Sequence, residues 1–294
     1  MTDAGTSLRI DPEMLTQLRG WEGRSETHQD QIAAAPMRGL SATLGRHDPF
    51  PAAGDELQPL WHWLYFLPQA LQQELGEDGH PRKGGFLPPV PLPRRMWAGG
   101  RLQWLQPLRV GEDVKRTSEI LSVSHKSGRS GDLVFATIRH ELSGGAGLAV
   151  REEQDIVYRE MARPGDPAPA PQAPPAAALW SREIVPDPVL LFRYSALTFN
   201  GHRIHYDRSY AVECEAYPAL VVHGPLIATL LADLARRECP GHRFASFNFR
   251  AVRPLFDRHP FRVCGRPSAD GKSALLWAQD HEGWLAMQAE VQFQ

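Results

Sequence analysis

The chain has 294 residues, of which 42% are hydrophobic and 22% are charged, and its formal net charge is −2. This length allows one large domain or two of ordinary size, with enough chain to bury a substantial core. The near-neutral charge argues against nucleic acid as a partner, because proteins that bind nucleic acid usually carry a clear basic surplus.

The cysteines and the first residues indicate the cellular compartment. Cys214, Cys239 and Cys264 are odd in number and widely spaced, which fits reduced thiols better than a disulfide framework or a zinc knuckle. Residues 1–11 lack the basic cluster and apolar run of a signal peptide. The longest apolar stretch, residues 60–67, is too short to cross a bilayer. We therefore expect a cytoplasmic protein without membrane association.

Strands are the clearest predicted elements of the first half of the chain. Residues 120–124 and 133–140 are rich in β-forming residues that partly alternate with polar ones. The glycine- and serine-containing residues 126–131 predict a hairpin turn between them. Residues 146–158 predict a further pair of strands.

Residues 162–178 are dense in proline and alanine. Such a segment cannot form a helix or join a sheet, and it tends to be extended. Because it divides the chain into near-equal parts, we interpret it as a linker between an N-terminal half, residues 1–161, and a C-terminal half, residues 179–294. A surface loop within one domain is the alternative.

The C-terminal half shows one clear helix among predicted strands. Residues 189–194 resemble a short strand. Leucine and isoleucine recur at helical spacing over residues 225–237, and Pro225 suits the first turn. This helix is apolar on most of its circumference, which predicts burial on all sides. Strands are predicted after it over residues 246–252, 261–266, 275–280 and 285–293.

A buried helix followed by about four antiparallel strands is the plan of a hotdog fold. The N-terminal half repeats this plan more weakly, with residues 60–67 in the place of the helix. The dipeptides Pro107-Leu108 and Pro254-Leu255 introduce similar turn-and-strand patterns in the two halves. An internal repeat of this kind indicates a duplicated fold. We therefore predict an α+β double hotdog, in which the N-terminal half is degenerate and the C-terminal half carries the site.

The densest polar cluster of the chain lies in residues 195–207 and contains Asn200, His202, His205 and Asp207. Three interpretations are open. His202, His205 and Asp207 could form a two-histidine, one-carboxylate metal site. The histidines could instead be structural, capping a helix or binding the backbone. The third is acid–base catalysis, because a neutral imidazole can take a proton from water near physiological pH.

Several motifs resemble those of a known family. Residues 198–207, TFNGHRIHYD, resemble the hydratase motif of the MaoC-like, R-specific enoyl-CoA hydratases, and residues 221–226, VVHGPL, are similar to the start of that family's central helix. Residues 93–102, PRRMWAGGRL, and 191–200, LFRYSALTFN, resemble a narrower branch. That branch comprises the type 2 hydroxyacyl-thioester dehydratases and their mesaconyl-CoA and itaconyl-CoA hydratase relatives.

The resemblance implies that His205 takes the position of the catalytic histidine. Five residues earlier the family has an aspartate, whereas this chain has Asn200. An amide can orient a water or a thioester oxygen, but it cannot act as a general acid or base. Either His205 performs both proton transfers through one water, or another side chain supplies the acid. Asp207 is the nearest carboxylate in sequence, although the family's equivalent position is usually structural.

Gly224 and His223 stand at the predicted start of the buried helix. A backbone N–H at a helix start can stabilise the negative charge that builds on a thioester oxygen, and glycine allows close approach of a ligand. The alternative is that Gly224 simply fits a tight entrance to the helix. We expect His223 to line the pocket.

Arginine is well suited to the anionic groups of an acyl-CoA. Its planar guanidinium binds phosphates and carboxylates through paired hydrogen bonds. Arg193, Arg94 and Arg95 are the candidates for such contacts, and we expect Trp97 to shape the acyl pocket.

These observations together predict a carbon–oxygen lyase. It would reversibly hydrate the C=C bond of an enoyl-CoA, with a short branched or dicarboxylic acyl group such as mesaconyl or itaconyl. The alternatives are a 3-hydroxyacyl-thioester dehydratase of fatty acid synthesis, a hotdog thioesterase and a non-catalytic acyl-CoA binder. We expect a homodimer that needs no cofactor and no metal, with an acyl-CoA or acyl-carrier thioester as its ligand.

Overall fold

The computed structural model of the chain describes residues 9–128, 131–161 and 170–294. Within them, the N-terminal half contributes two α-helices and five strands. In chain order these are α1 (Pro12–Arg19), β1 (Ser25–Gln31), α2 (Ala34–Thr43), β2 (Arg94–Trp104), β3 (Asp113–Gly128), β4 (Gly131–Gly144) and β5 (Gly147–Arg159). Short 3-10 turns cover Trp61–Leu64 and Gln72–Glu74.

The C-terminal half has a similar composition of elements. They are β6 (Trp180–Ile184), α3 (Pro188–Leu197), α4 (Gly224–Glu238), β7 (Phe244–Ala251), β8 (Phe261–Pro267), β9 (Ser273–Gln279) and β10 (Leu285–Phe293). Between α3 and α4 lie a 3-10 turn, Arg203–His205, and a short π-helical turn, Tyr210–Cys214. The predicted helix and the four predicted strands that follow it are therefore all present.

The ten strands form one antiparallel sheet in the order β1-β3-β4-β5-β2-β7-β10-β9-β8-β6. The strands β1 to β5 correspond, in that sequence, to β6 to β10. If each strand is replaced by its counterpart, the same order is obtained when it is read from the opposite edge of the sheet. The central strands β2 and β7 meet at the axis that relates them, where Gly100 pairs with Phe249 and Leu102 pairs with Phe247. The sheet therefore has internal two-fold pseudosymmetry.

The pseudosymmetry extends to the loops that follow the central strands. The N–H of Leu57 donates to the carbonyl of Leu108 at 2.8 Å, and the N–H of Val222 donates to the carbonyl of Leu255 at 2.8 Å. These carbonyls belong to the Pro-Leu dipeptides that the sequence shares between its halves. The weak internal repeat thus corresponds to a structural equivalence.

Helix α4 is the centre of the larger core. Leu226, Leu231 and Ala235 are each fully buried, and burial of a leucine side chain contributes about 1.5–3 kcal/mol. Pro225 in the first turn provides the fixed φ with which a helix begins. The helix also buries Asp233, which accepts hydrogen bonds from arginines of both halves: Arg46, Arg182 and Arg237.

The N-terminal half has only one short turn where the C-terminal half has α4. The 3-10 turn Trp61–Leu64 follows the bridge Glu56↔Arg109, which is equivalent to Val221↔Phe256 just before α4. Trp61 and Leu64 are buried, so the turn still covers part of the sheet. A 3-10 turn therefore stands where the C-terminal half has α4, and part of the N-terminal sheet face remains uncovered.

Two predicted elements were wrong. Residues 189–194 belong to the helix α3, because Asp187 caps its N-terminus by accepting from the N–H of Leu190 at 2.8 Å and Pro188 occupies the first turn. Residues 146–158 form the single strand β5 rather than a pair of strands. Its length allows it to pair with β4 on one side and with β2 on the other.

The predicted turns lie partly outside the described residues. Strands β3 and β4 form the expected hairpin, with Gly128 paired to Gly131, and residues 129–130 lie outside the description. The same holds for residues 162–169 of the predicted linker. The described part, residues 170–178, contains neither helix nor strand, and its Gln172 carbonyl accepts from the N–H of Leu285 at 2.8 Å.

Candidate active site

A cavity of about 840 Å³ lies where the start of α4 faces the uncovered part of the N-terminal sheet. Both halves supply its wall. Its lining includes Trp63, Trp97, Arg116, His140, Glu152 and Gln154 from the N-terminal half, and Tyr194, Ser195, Asn200, Tyr206 and Pro225 from the C-terminal half. Of the site residues predicted from the sequence, Asn200 and Trp97 are on this wall.

His205 ends the 3-10 turn after α3 and is 8% exposed. Its Nδ1 lies 2.7 Å from the carbonyl oxygen of Val221. A carbonyl can only accept a hydrogen bond, so Nδ1 carries the proton and Nε2 keeps its lone pair. Burial lowers the pKa of His205 to about 4. The imidazole is therefore neutral at pH 7, with a fixed tautomer and a basic Nε2.

His223 connects His205 to the cavity. Its ring stacks on that of His205 with centroids 3.7 Å apart, and its Nε2 lies 2.8 Å from Ser195 Oγ. Ser195 is on the cavity wall, whereas the two histidines are not among the lining residues. His223 is completely buried, and burial holds its pKa well below the ordinary value. The structure thus brings the two predicted histidines together, one layer behind the wall.

Asn200 lines the cavity immediately after α3. Its Oδ1 accepts a hydrogen bond from the N–H of His202 at 3.0 Å. Within the described residues, its amide NH₂ has no partner, so this group can donate to a water or to a thioester oxygen. An amide in this position can orient a bound group, but it cannot act as a general acid or base.

Gly224 begins α4, and the next residue, Pro225, is on the cavity wall. The N–H of Gly224 has no hydrogen-bond partner in the described part of the chain, as is common for the first N–H groups of a helix. A Cβ on Gly224 would lie 3.9 Å from the carbonyl oxygen of Trp97. There is thus room for a Cβ, so a clash with the surrounding backbone does not explain the glycine.

The three predicted anion-binding arginines do not lie on the cavity wall. Arg94 is buried and ion-paired with Glu215, with Nε 3.0 Å from Oε2. Arg95 pairs across the sheet with Tyr158. Arg193 is exposed on α3. The guanidinium of Arg94 is therefore already bound by Glu215 and is not free for an anionic substrate group.

Trp97 packs at the boundary between the halves. Its ring centroid is 4.9 Å from that of Trp63 and 5.7 Å from that of Phe249. Its Nε1 donates to the carbonyl of Gly99 at 2.9 Å. This fixed indole shapes the cavity next to the start of α4.

The N-terminal wall of the cavity carries a cluster of polar groups, which the sequence did not reveal. Glu152 is 2% exposed and accepts from Trp63 Nε1 at 3.0 Å and Gln154 Nε2 at 2.9 Å, and it contacts His62 Nε2 at 2.9 Å. Burial alone would raise the pKa of Glu152, but its contacts, chiefly with His62, lower it to about 2. Alternation along β5 places residues 152 and 154 on one face, but nothing local indicates that His62 joins them.

Arg116 is the second unpredicted group of this wall. Within the described residues, it has no carboxylate within 4.0 Å, and its Nε has no hydrogen-bond partner. Its guanidinium lies over the ring of Phe66, 5.1 Å from the centroid. Burial lowers its pKa. Arg116 is therefore a largely buried cation that faces the cavity and is available to an anion.

The alternative metal site of His202, His205 and Asp207 is not assembled among the described residues. Asp207 binds Arg203, with Oδ2 2.7 Å from Nη2, and accepts from the N–H of Tyr210. His202 instead lies close to Asp78 and His80 of the N-terminal half, and one ligand atom from each lies within 4.8 Å of the others. This group has the donor types of a metal site, but Asp78 Oδ2 and His80 Nδ1 are hydrogen-bonded to each other at 2.9 Å.

Comparisons with known proteins identify the family of the chain. The family model for type 2 hydroxyacyl-thioester dehydratases matches residues 60–257. The mesaconyl-C(4)-CoA hydratase of Chloroflexus aurantiacus is 49% identical over 275 residues, covering 92% of this chain and 96% of that protein.

Among the described residues, no helix has the length and apolarity needed to cross a membrane.

Solved structures share the fold at low sequence identity. A MaoC-like dehydratase from Phytophthora capsici superposes with a TM-score of 0.67 at 16% identity, covering 95% of this chain and 98% of that one. A Mycobacterium tuberculosis protein described as a double hotdog gives 0.58 at 14% identity, covering 93% and 96%.

These findings confirm the predicted α+β double hotdog and the predicted hydratase branch. They favour a carbon–oxygen lyase over the thioesterase and the non-catalytic binder. The chain therefore belongs to the type 2 hydroxyacyl-thioester dehydratase family.

Proposed function

We propose that the protein reversibly hydrates a short dicarboxylic enoyl-CoA of the mesaconyl-C(4)-CoA type, with His205 as the base. The observation that carries this proposal is the Nδ1–H of His205 donating to the Val221 carbonyl, which leaves a basic Nε2 one layer behind the cavity wall. The 49% identity to a mesaconyl-C(4)-CoA hydratase supports the choice of substrate.

The hydration follows from these positions. His205 Nε2 takes one proton from a water that Asn200 orients, and the water oxygen bonds to the β-carbon of the enoyl group. The π electrons move toward the thioester oxygen, whose negative charge the N–H of Gly224 stabilises. The enolate then takes the proton from the His205 imidazolium at its α-carbon. The net change is the addition of one water, and His205 returns to its neutral form.

The polar cluster in the N-terminal wall supports a short, polar acyl group. A long alkyl chain in this cavity would desolvate Arg116 and the atoms around Glu152 without replacing their contacts with water, which is unfavourable. A carboxylate could instead bind the guanidinium of Arg116. A charged hydrogen bond of this kind contributes about 1.5–3 kcal/mol.

Two further expectations complete the proposal, a homodimeric assembly and a cytoplasmic location. Light scattering coupled to gel filtration tests the first, and fractionation of the source cells tests the second. A monomer in solution would contradict the expected assembly without affecting the proposed chemistry.

The decisive experiment follows the loss of enoyl-thioester absorbance with mesaconyl-C(4)-CoA, itaconyl-CoA, crotonyl-CoA and trans-2-decenoyl-CoA. We expect kcat/KM for one dicarboxylic substrate to exceed that for crotonyl-CoA by about 10-fold or more, as one charged contact allows. A preference for decenoyl-CoA would favour the fatty acid dehydratase instead. Release of free CoA thiol, measured in parallel, would indicate a thioesterase.

A further inference from the structure

His205 has no carboxylate partner of its own. Asn200 occupies the position where a carboxylate was expected, and within the described residues no Asp or Glu oxygen lies within 4.0 Å of a His205 ring nitrogen. Its Nδ1 binds a neutral carbonyl. When His205 takes a proton from water, a positive charge therefore forms in a buried position without an adjacent negative charge, which is unfavourable.

A loop of the N-terminal half, residues 78–80, contacts the segment of the C-terminal half that carries His205. The N–H of Arg203 donates to the carbonyl of Asp78 at 2.9 Å. Gly79 lies so close to Gly201 that a Cβ on Gly79 would be 1.9 Å from the Gly201 carbonyl oxygen. This contact requires glycine and places the side chains of Asp78 and His80 beside the turn that carries His205.

The loop brings a carboxylate into a continuous series of ring contacts. Asp78 Oδ2 accepts from His80 Nδ1 at 2.9 Å, and Asp78 Oδ1 accepts from the His80 N–H at 3.0 Å. The His80 and His202 rings are 4.0 Å apart, and the His202 and His205 rings are 5.4 Å apart and nearly perpendicular. Asp78 is thus connected to His205 through two imidazoles.

Among the groups of this series, Asp78 is the one that carries a negative charge. Burial raises the pKa of Asp78, but its contacts with His80 outweigh this effect and lower it, so the carboxylate is ionised. Burial lowers the pKa of His202 to about 2, so this ring is neutral at pH 7. Burial also lowers the pKa of His80, as do the nearby cations Arg95 and Lys83.

We propose that Asp78 and His80 are positioning residues that replace the missing aspartate. They hold His202 against His205, and the carboxylate of Asp78 offsets the charge that His205 carries after it takes the proton from water. This inference rests on the proposed hydration. It assigns the loop of the N-terminal half, otherwise degenerate, a part in the reaction of the C-terminal half.

The test uses Asp78→Asn, which removes the charge but keeps the shape, and His80→Asn, which keeps a donor near Asp78. We expect kcat on mesaconyl-C(4)-CoA to fall about 10- to 100-fold, part of the ~10²–10⁴-fold that positioned acid–base groups contribute. KM of Asp78→Asn should stay within about threefold of the wild type, because Asp78 is not among the residues that line the cavity. Asp78→Glu should recover part of the lost kcat. Asp11→Asn is the matched control, because asparagine caps α1 as well as aspartate does.

Imidazole NMR provides a readout that does not depend on turnover. Removal of the Asp78 charge makes protonation of His205 harder, so its titration should move to lower pH in Asp78→Asn and stay in place in Asp11→Asn. If the wild type hydrates none of the thioesters, the proposed function fails while this titration still tests the coupling. An unchanged titration, or a kcat within threefold of the wild type in a folded variant, would overturn the inference.

The same variants distinguish a metal site. Chelator treatment should leave wild-type activity unchanged, and the purified protein should contain no stoichiometric metal. If a chelator abolished activity, Zn²⁺ restored it and Asp78→Asn no longer bound Zn²⁺, the cluster would be a metal site and the positioning role would be wrong.

Discussion

The imidazoles of His205 and His223 stack face to face, with centroids 3.7 Å apart and planes inclined by 18°. Each ring is held by one hydrogen bond, His205 to the Val221 carbonyl and His223 to Ser195 Oγ. Because both rings are buried and neutral, the stack keeps His205 in one orientation. The basic nitrogen is therefore fixed before substrate binds.

Replacing His205 should remove the base without unfolding the protein. We expect His205→Gln to lower kcat about 10²- to 10⁴-fold, the range for loss of a positioned general base. His28→Gln, at an exposed position in β1, is the control and should retain activity. Steady-state hydration of mesaconyl-C(4)-CoA checks both. Near-normal turnover of His205→Gln would rule out His205 as the base.

The pH dependence of stability follows from two histidines whose pKa values are lowered in the folded protein. His205 and His140 titrate near pH 4 in the folded protein, because burial lowers the pKa of both, and near 6.5 when unfolded. Between these values the unfolded chain binds protons that the folded chain does not, so stability falls as the pH drops from about 6.5 toward 4.

Urea unfolding at pH 7.5, 6 and 5 measures this effect. Each such histidine contributes at most about 1.4 kcal/mol per pH unit to the slope. His140→Gln should therefore give a shallower decline than the wild type, whereas His28→Gln should not change it. Equal slopes in the wild type, His140→Gln and His28→Gln would contradict the statement that folding lowers the pKa of His140.

The contact between Gly79 and Gly201 predicts a sensitive position. Gly79 has a φ of +84°, and its Cβ would meet the Gly201 carbonyl. Gly79→Ala should therefore displace the loop that carries Asp78 and lower kcat. Gly23→Ala is a matched control, because Gly23 has a φ of +79° and no neighbour within 4 Å of a Cβ.

Both glycine substitutions strain the backbone by about 1 kcal/mol or more. Thermal denaturation should show a loss of stability in both proteins, and activity should fall only in Gly79→Ala. Equal activities of the two variants would indicate that the loop position does not affect the reaction.

Arg116 should affect one class of substrate. Its guanidinium faces the cavity and has no carboxylate within 4.0 Å among the described residues. Arg116→Gln should lower kcat/KM for mesaconyl-C(4)-CoA about 10- to 100-fold, the loss of one charged hydrogen bond, and leave crotonyl-CoA hydration nearly unchanged.

Arg139→Gln is the control for Arg116, because Arg139 pairs with Glu153 and is not on the cavity wall. Initial-rate assays with mesaconyl-C(4)-CoA and crotonyl-CoA give the ratio of the two kcat/KM values directly. If Arg116→Gln weakened both substrates equally, Arg116 would support the cavity and not recognise the carboxylate.

Elements with strong periodicity were predictable from the sequence. The apolar residues of α4 and the alternating strands after it form where expected, because their patterns match the helical and strand periods. Helix α3 was missed since its short apolar run fits either element. The cap Asp187 and the first-turn Pro188 were the local signals that could have identified it.

By itself the sequence determined the family, the duplicated α+β plan and the candidate roles of His205 and Asn200, because these depend on contiguous motifs and local periodicity. Only the tertiary structure decided which groups of the N-terminal half complete the site. His80, Arg116 and Glu152 line the cavity from a loop and two strands far away in sequence. Chain folding and strand pairing set such contacts, and no local pattern records them.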